Sequence, residues 1–544
     1  MAGIYSHAPA GFLSIVLHAH LPYVRCPEHE YYLEEHWFYE ALTETYIPLI
    51  LACEEMLNDG IRFRLTLSLS PTLLAMLEDR LLRERYGHYL ERLILLSERE
   101  MSRTRNQPDF FPLARMYHRR FKSTLDLYQH SYRRDIVAAF RSLAESGAVE
   151  LITSCATHAY LPALQTVPSA VRAQLRAGMQ YFSQSAGRIA GGFWLPECGF
   201  APGLDPLIRE SGIRFFFLES HGLIASTPPA TQSIYAPIST PSGVVAFARD
   251  VDSSHEVWSS RSGYPGDPDY RDFYRDIGFD HDFEDLRGYL PDGLRTFTGL
   301  KYYRITGKSD AKQPYVRSRA ASKARLHAAD FLAKKERQIS ALAETSGGRG
   351  MKPVITAAYD AELFGHWWFE GIDWLRSVLT GAGSSGGGVR LTTPSEYLEE
   401  HPVEQTCMPS MSSWGEKGYG ATWFDTKNSW AHRHIIHASR LMTELADTPE
   451  RHYTGSGDNI LHRALNQAAR EVLLAQASDW PFMMKTGNAS AYAKKRLAGH
   501  IRNFLRLHKE ILGRDVNIPS LETLETTDAL FPEIDYRIFR SRGA

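Results

Sequence analysis

The apolar run Phe12-Leu-Ser-Ile-Val-Leu17 passes directly into His18-Ala-His20-Leu-Pro-Tyr23. The run has the length of a buried strand. Two histidines separated by one residue at its end point to the same side. Six further β-rich runs follow along the chain: Ile61–Ser68, Val149–Thr153, Gly191–Leu195, Arg214–Leu218, Val244–Ala248 and Pro353–Ala358. Helix-period stretches lie between them, at Pro71–Arg103, Arg134–Ser146, Pro168–Ala186 and Arg317–Ala343. Alternation of this kind predicts an α/β protein with a parallel sheet, closed as a barrel or open. Polar and aromatic residues gather just after several runs, where a barrel collects its chemistry, so the barrel is favoured.

Working outward, the stretch from about 220 to 350 interrupts the simple alternation. It holds a turn-rich segment, Gly263–Tyr270, before the helix near 317–343. The Gly, Ser and Ala run Gly381–Gly388 reads as a flexible surface loop. Beyond about residue 410 the β signal fades, and helical patterns recur at Asn428–Ala446, Asn459–Ala477 and Ala489–Leu512. The expected organisation is a barrel over residues 1–400, with an insertion at about 220–350, and an all-helical unit over 410–544.

Composition narrows the function. The 544 residues are 43 % hydrophobic and 23 % charged, globular proportions that exclude wholesale disorder. Lys and Arg total 61 against 63 Asp and Glu, a net charge of −2, so no bulk attraction to nucleic acid or anionic membrane is expected. Aromatic residues reach 12 %, a surplus that suits a cleft stacking flat, weakly polar ligands such as sugar rings. The five cysteines, Cys26, Cys53, Cys155, Cys198 and Cys407, form no CxxC pair, which argues against a disulfide framework or a cysteine zinc site. No run of about 18 apolar residues occurs and Met1–Ala10 lacks a basic n-region, so a soluble, cytoplasmic protein is expected.

Three stretches carry candidate chemistry. His18 and His20 suit sugar-hydroxyl binding or metal ligation, or form a buried pair satisfied by backbone. In Gly192-Phe-Trp-Leu-Pro-Glu197-Cys-Gly-Phe200 a strand ends on a carboxylate beside Trp194; a Glu at a helix start gives a similar pattern. In Ala358-Tyr-Asp360-Ala-Glu-Leu-Phe-Gly-His366-Trp367-Trp368 a second strand does the same. Two strand-tip carboxylates fit glycoside chemistry, where a retaining enzyme holds nucleophile and acid/base about 5–5.5 Å apart. Trp367 and Trp368 read as barrel packing, and Tyr264 suits a turn as well as a sugar contact. His366 with the two tryptophans is expected to desolvate Asp360.

The order and spacing of these stretches resemble glycoside hydrolase family 57, in its α-glucan branching enzyme and amylase-like branch. Val257-Trp258-Ser259, Gly263-Tyr264-Pro265-Gly266, Ser412-Ser-Trp414-Gly415, Thr422-Trp423-Phe-Asp425 and Ser478-Asp479-Trp480 extend the resemblance over nearly the whole chain. It implies an incomplete seven-stranded (β/α)7 barrel with an all-helical C-terminal domain contributing to the cleft. It implies Glu197 as nucleophile and Asp360 as general acid/base. His18, His20 and His158 would hold the sugar at the cleavage point; Trp258, Trp414, Trp423, Asp479 and Trp480 would line glucan subsites. The implied partner is an α-1,4-glucan (amylose, maltodextrin or a glycogen precursor), with no cofactor and no metal.

One departure concerns the segment Glu219–Pro237. Long-loop branching members carry an extended, tyrosine-bearing shield there, whereas here it is compact and Tyr235 has no assured equivalent. The short form resembles the amylase-like members, and admitting water favours hydrolysis. The leading expectation is therefore branching, with α-1,4-glucan hydrolysis as the alternative. A metal-dependent hydrolase or deacetylase using His18, His20, His158 and Asp360 is remoter, because it leaves Glu197 and the tryptophans without a role. A glucan-binding protein without turnover is disfavoured by the two carboxylates.

Overall fold

A computed structural model describes residues 9–290, 293–345, 352–384, 389–449 and 458–541. Seven parallel strands form its sheet: β1 (Gly11–Ala19), β2 (Leu65–Leu69), β3 (Val149–Ser154), β4 (Gly192–Trp194), β5 (Phe215–Leu218), β6 (Val245–Ala248) and β7 (Val354–Asp360). Their spatial order is β6-β5-β4-β3-β2-β1-β7. Two short strands are added: Ile238–Ser239 runs antiparallel to β6, and Val389–Leu391 pairs with the start of β1. The sheet curls until its ends meet at one backbone bond, Asp250 N–H to Thr356 C=O (2.9 Å). No ladder joins β6 to β7 among the described residues, so the barrel is incomplete, as the family resemblance implied.

Alternation along each strand separates two cores. Phe12, Val16, Ile152, Trp194, Phe215, Phe217, Phe247, Val354 and Ala358 fill the barrel. Leu13, Ile15, Leu17, Leu65, Leu67 and Leu69 belong to the core shared with the outer helices. Because parity is kept to the strand ends, the inward series Phe12, Ser14, Val16 continues into His18. Register sets His18 beside Ser68 of β2 and beside Asp360 of β7.

The helix Pro168–Ala186 lies so close to the end of β3 that a Cβ on Gly178 would sit 2.4 Å from the Ser154 carbonyl oxygen. Only glycine fits there, and the approach fixes the turn that carries His158. The expected continuous helix Pro71–Arg103 is broken: Pro71–Glu78 stops and Arg80–Arg103 starts at Asp79, whose extended backbone leaves its side chain to cap Leu82 N–H (2.9 Å). The expected loop Gly381–Gly388 is also corrected in part. Gly381–Ser384 complete the helix Gly371–Ser384, and Ser385–Gly388 lie outside the described residues.

Between β6 and β7 the helix Arg317–Thr345 packs outside the sheet. After Glu400 comes an irregular stretch bridged to the barrel at Met408 and Ser412, and then helices at Ser429–Asp447, Asp458–Ala475, Asp479–Thr486, Ser490–Gly513 and Ile518–Thr527. This layer joins the barrel at an antiparallel bridge between Ala159 and Ala477 and a bond from Ser478 N–H to His158 C=O (3.0 Å). All five cysteines are buried and free. Among the described residues no helix is long and apolar enough to cross a membrane.

Candidate active site

At the C-terminal mouth of the barrel lies a cavity of about 900 Å³. Its walls include His18, His20, His158, Glu197, Asp360, Trp258, Trp414, Trp423 and Asp479. Strand ends and the helical layer thus deliver side chains from across the chain to one cleft.

Glu197 sits in the left-handed region (φ 63°, ψ 20°), as does His158 (φ 56°). Neither is glycine, and such backbone is held only where the surroundings over-determine it. The turn at Pro196–Cys198 swings the Glu197 carboxylate into the cleft, where both oxygens accept hydrogen bonds. Trp414 Nε1–H donates to Oε2 and Ser478 Oγ–H to Oε1, each at 2.7 Å.

The Ser478 bond orders a chain of protons. Since Ser478 donates to Glu197, it accepts from His158 Nδ1–H (2.9 Å). His158 Nε2 then accepts from His18 Nε2–H (2.9 Å), and His18 Nδ1 accepts from Ser68 Oγ–H (3.0 Å). This order requires both imidazoles neutral. Burial, then the charge of neighbouring His20, holds the pKa of each well below its usual range. Every dipole in the chain points at the Glu197 carboxylate.

Burial pushes the Glu197 carboxyl up to about 7, with the Trp414 and Ser478 hydrogen bonds pulling it down. Asp360 has no such donors among the described residues. Burial drives it well above the usual carboxylate range, Glu362 and Glu197 add like charge, and Arg249 only partly offsets them. Two carboxyl groups at one mouth are thereby set apart: donors favour the charged form of Glu197, while burial and like charge favour the neutral form of Asp360. Glu362, itself pushed up to about 7 by burial, bonds Tyr46 and accepts from His20 N–H (3.1 Å).

The other anticipated residues divide. His20 bridges Ser70 (3.0 Å) and Asp479 (3.2 Å), so Asp479 reaches the cleft from the helical layer. Trp258 is 44 % exposed on the cleft wall. Trp423 lines it edge-on, 1 % exposed and stacked on Tyr160 at 4.7 Å. Trp480 does not line the cleft. It is 1 % exposed and donates to Leu474 C=O (2.7 Å), because the turn that presents Asp479 directs the next side chain into the helical core.

Trp367, read as packing, is 53 % exposed on the cleft wall and stacks on Phe273 at 4.5 Å, while Trp368 is the packing residue. His366 turns away to Glu44 (2.7 Å) and takes no part in desolvating Asp360. Tyr264 donates to Asp330 (2.8 Å), away from the cleft. Tyr235 accepts from Gln338 (3.2 Å) on the helix Arg317–Thr345, and from Glu219–Pro237 only Glu219, Ser220 and His221 reach the cleft.

Residues that sequence reasoning missed include Ser478, Glu362, Glu219 and Arg249. Ser478 stands one position before Asp479, and Glu362 two after Asp360, so spacing carried a signal for both. Arg249 bonds Glu219 (2.5 Å) and lies over the Trp414 ring at 4.9 Å, a pairing that only the fold creates. His20, His158 and Asp479 bring possible metal-ligand atoms within 4.8 Å of one another. The His20 and His158 rings, however, stack face to face at 3.8 Å and 13°. Their in-plane lone pairs run side by side instead of converging, which is poor geometry for one ion.

Residues 14–411 match the family model described as "Glycosyl hydrolase family 57", and 434–539 match "1,4-alpha-glucan branching enzyme, C-terminal". A 1,4-alpha-glucan branching enzyme of Thermococcus kodakarensis is 33 % identical over 96 % of this chain and 77 % of its own length. Among solved structures, the alpha-amylase AmyC of Thermotoga maritima is 40 % identical with TM-score 0.90, covering 98 % of this chain and 100 % of that one. The GH57-type branching enzyme of Pyrococcus horikoshii is 32 % identical with TM-score 0.86, covering 98 % and 97 %.

Proposed function

The chain belongs to glycosyl hydrolase family 57, and from that premise we propose that it is a retaining 1,4-alpha-glucan branching enzyme. In this reading Glu197 attacks the anomeric carbon of an α-1,4-linked glucose while Asp360 gives its proton to the departing O4. The chain is then held as a glycosyl ester on Glu197. Asp360, now a carboxylate, takes the proton of an incoming 6-hydroxyl, whose oxygen displaces Glu197 and forms an α-1,6 bond. The observation that carries the reading is the split between the two carboxyls. Glu197 accepts two hydrogen bonds that favour its charged form, and Asp360 is buried beside like charge.

His18, His20, His158 and Asp479 are assigned to the sugar at the cleavage point. Trp258, Trp367 and Trp414 offer indole faces or edges to flanking glucose rings. The division of labour between a barrel over 1–400 and a helical unit from about 410 belongs to the same proposal, with Ser478 and Asp479 as the helical contribution.

A second reading, hydrolysis of the same bond, is favoured by one observation. The one tyrosine of the Glu219–Pro237 segment does not cover the cleft, since Tyr235 is bound to Gln338 away from it. Water then competes with the 6-hydroxyl for the ester. The branching reading is supported by the match of residues 434–539, and a sizeable hydrolytic side reaction is expected. Incubation with amylose and proton NMR counting of α-1,6 linkages against new reducing ends tests it. Reducing ends with no α-1,6 signal would make the protein an amylase.

A further inference from the structure

The start of the compact Glu219–Pro237 segment does more than line the cleft. His221 turns Nε2 onto the Gly418 carbonyl oxygen (2.8 Å), and the same oxygen takes the Ser413 backbone N–H (2.8 Å). A carbonyl only accepts, so Nε2 carries a proton. Between Ser413 and Gly418 stands Trp414, whose indole and backbone N–H groups both donate to Glu197 (2.7 and 3.0 Å). The loop Gly415–Gly420 is thus anchored by Glu197 through Trp414 and by His221 through Gly418.

That loop has to be held. Lys417 sits in the left-handed region (φ 63°), which a residue other than glycine keeps only where its surroundings impose it. Gly418 (φ 79°) lies so near the His221 ring that a Cβ there would stand 2.8 Å from Cε1. Tyr419 packs edge-on against the same ring at 5.1 Å.

Glu219 reaches Trp414 through Arg249. Its Oε2 takes Arg249 Nη1–H (2.5 Å), while Oε1 accepts from Ser220 N–H and Oγ–H, both at 3.0 Å. Ser254 Oγ and Ala358 C=O take further N–H groups of the guanidinium (3.0 and 3.4 Å). So fixed, the buried Arg249 lies over the Trp414 ring at 4.9 Å. Farther along, Gly222 C=O accepts from Ser410 N–H (2.9 Å) and Thr227 bridges Met408, so the segment runs beside the approach to Trp414.

We propose that His221, and Glu219 acting through Arg249, are positioning residues that hold the Trp414 indole against Glu197. The compact segment braces the nucleophile's donor instead of covering the cleft. A donor aligned in advance favours the carboxylate without having to reorganise during the reaction. The inference rests on Glu197 being the nucleophile, as proposed above.

The test is a double-mutant cycle read as kcat/KM for cleavage of amylose and as its pH profile. His221→Ala alone should lower kcat/KM about 3- to 10-fold, the worth of one hydrogen bond. Its acid limb should move upward, because Glu197 loses a well-placed donor. On the Trp414→Phe background the same change should cost less than about twofold, since the bond it supports is already gone. His221→Gln, which keeps an N–H donor, should recover part of the loss. Glu219→Gln keeps its shape, removes the charge that fixes Arg249, and should show the same coupling. Ser478, His158, His20, Asp360 and Asp479, which face Glu197 from other elements, stay in place in every variant.

Melting curves establish which variants are folded; should His221→Ala not fold, Glu219→Gln decides alone. Losses that multiply in full with Trp414→Phe, or an acid limb unmoved in the folded variants, overturn the proposal and leave the catalytic reading intact. Near wild-type activity of Glu197→Gln overturns both.

Discussion

Trp414 touches Glu197 twice: its indole N–H donates to Oε2 at 2.7 Å, and its backbone N–H donates to the Glu197 carbonyl at 3.0 Å. One residue thus holds both the carboxylate and the unusual backbone that presents it. Trp414→Phe should keep the aromatic face and lose the side-chain donor. A hydrogen bond to a charged group is worth about 1.5–3 kcal/mol, so kcat/KM on amylose should fall about 10- to 100-fold. The acid limb of the pH profile should move upward. A variant with wild-type kinetics would reduce Trp414 to packing.

The pH dependence of the wild type follows from the two carboxyls. In the proposed mechanism Glu197 must be ionised, and burial pushes its carboxyl up to about 7, so kcat/KM should rise through that pH. The same mechanism needs Asp360 protonated, and burial holds it well above the ordinary carboxylate range, so activity should fall again on the alkaline side. Glu197→Gln should abolish transfer and hydrolysis by several powers of ten while glucan binding persists. Activity within about tenfold of wild type would remove Glu197 from its role.

Asp360→Asn should depress turnover of glucans far more than that of a substrate with an activated leaving group, which needs no proton. It should also raise stability. A carboxyl whose pKa rises on folding makes folding less favourable as pH climbs from the ordinary carboxylate range through the folded value. The variant escapes that loss. Its melting temperature should exceed the wild type's at pH 8, with the gap closing toward pH 4. A constant gap across that range would mean Asp360 is not raised by burial.

Adjacent tryptophans should separate cleanly. Trp367→Ala should weaken glucan binding and shift product lengths with little change in melting, because Trp367 is exposed on the cleft wall. Trp368→Ala leaves a void beside Tyr270, Phe364 and Trp374 and should cost about 3–5 kcal/mol of stability. Chemical denaturation and amylose kinetics on the two variants decide it.

Grafting a longer, tyrosine-bearing loop in place of Ser226–Gln232 should raise the ratio of new branches to new reducing ends. The measurement is NMR of amylose products. An unchanged ratio would show that water reaches the ester by another route.

Much of the barrel was legible because strands buried on both faces write as short continuous apolar runs: each of the seven runs read as strands overlaps one of β1 to β7. Glu197, Asp360, His18 and His20 stood out because strand ends are where parity and polarity collide. Two kinds of feature were hidden. Trp367 and Trp368 are chemically identical neighbours, and only the turn at Gly365, with its positive φ of 98°, decides which one faces the cleft. Ser478 stood in a quoted motif, but its partner Glu197 lies 281 positions away, and Arg249 pairs with Glu219 30 positions away, so the bonds themselves were out of local reach.

The Ser478–Glu197 bond has a consequence for the protein's birth. The second donor to that carboxylate, and Asp479 beside it, are synthesised 281 or more residues after Glu197 itself. A ribosome that has completed the barrel over residues 1–400 carries a chain whose carboxylate still lacks both donors, Trp414 and Ser478. The second donor arrives only after translation passes residue 478 and the new helices dock at Ala159. The complete set of donors around Glu197 therefore exists only once the two layers have assembled.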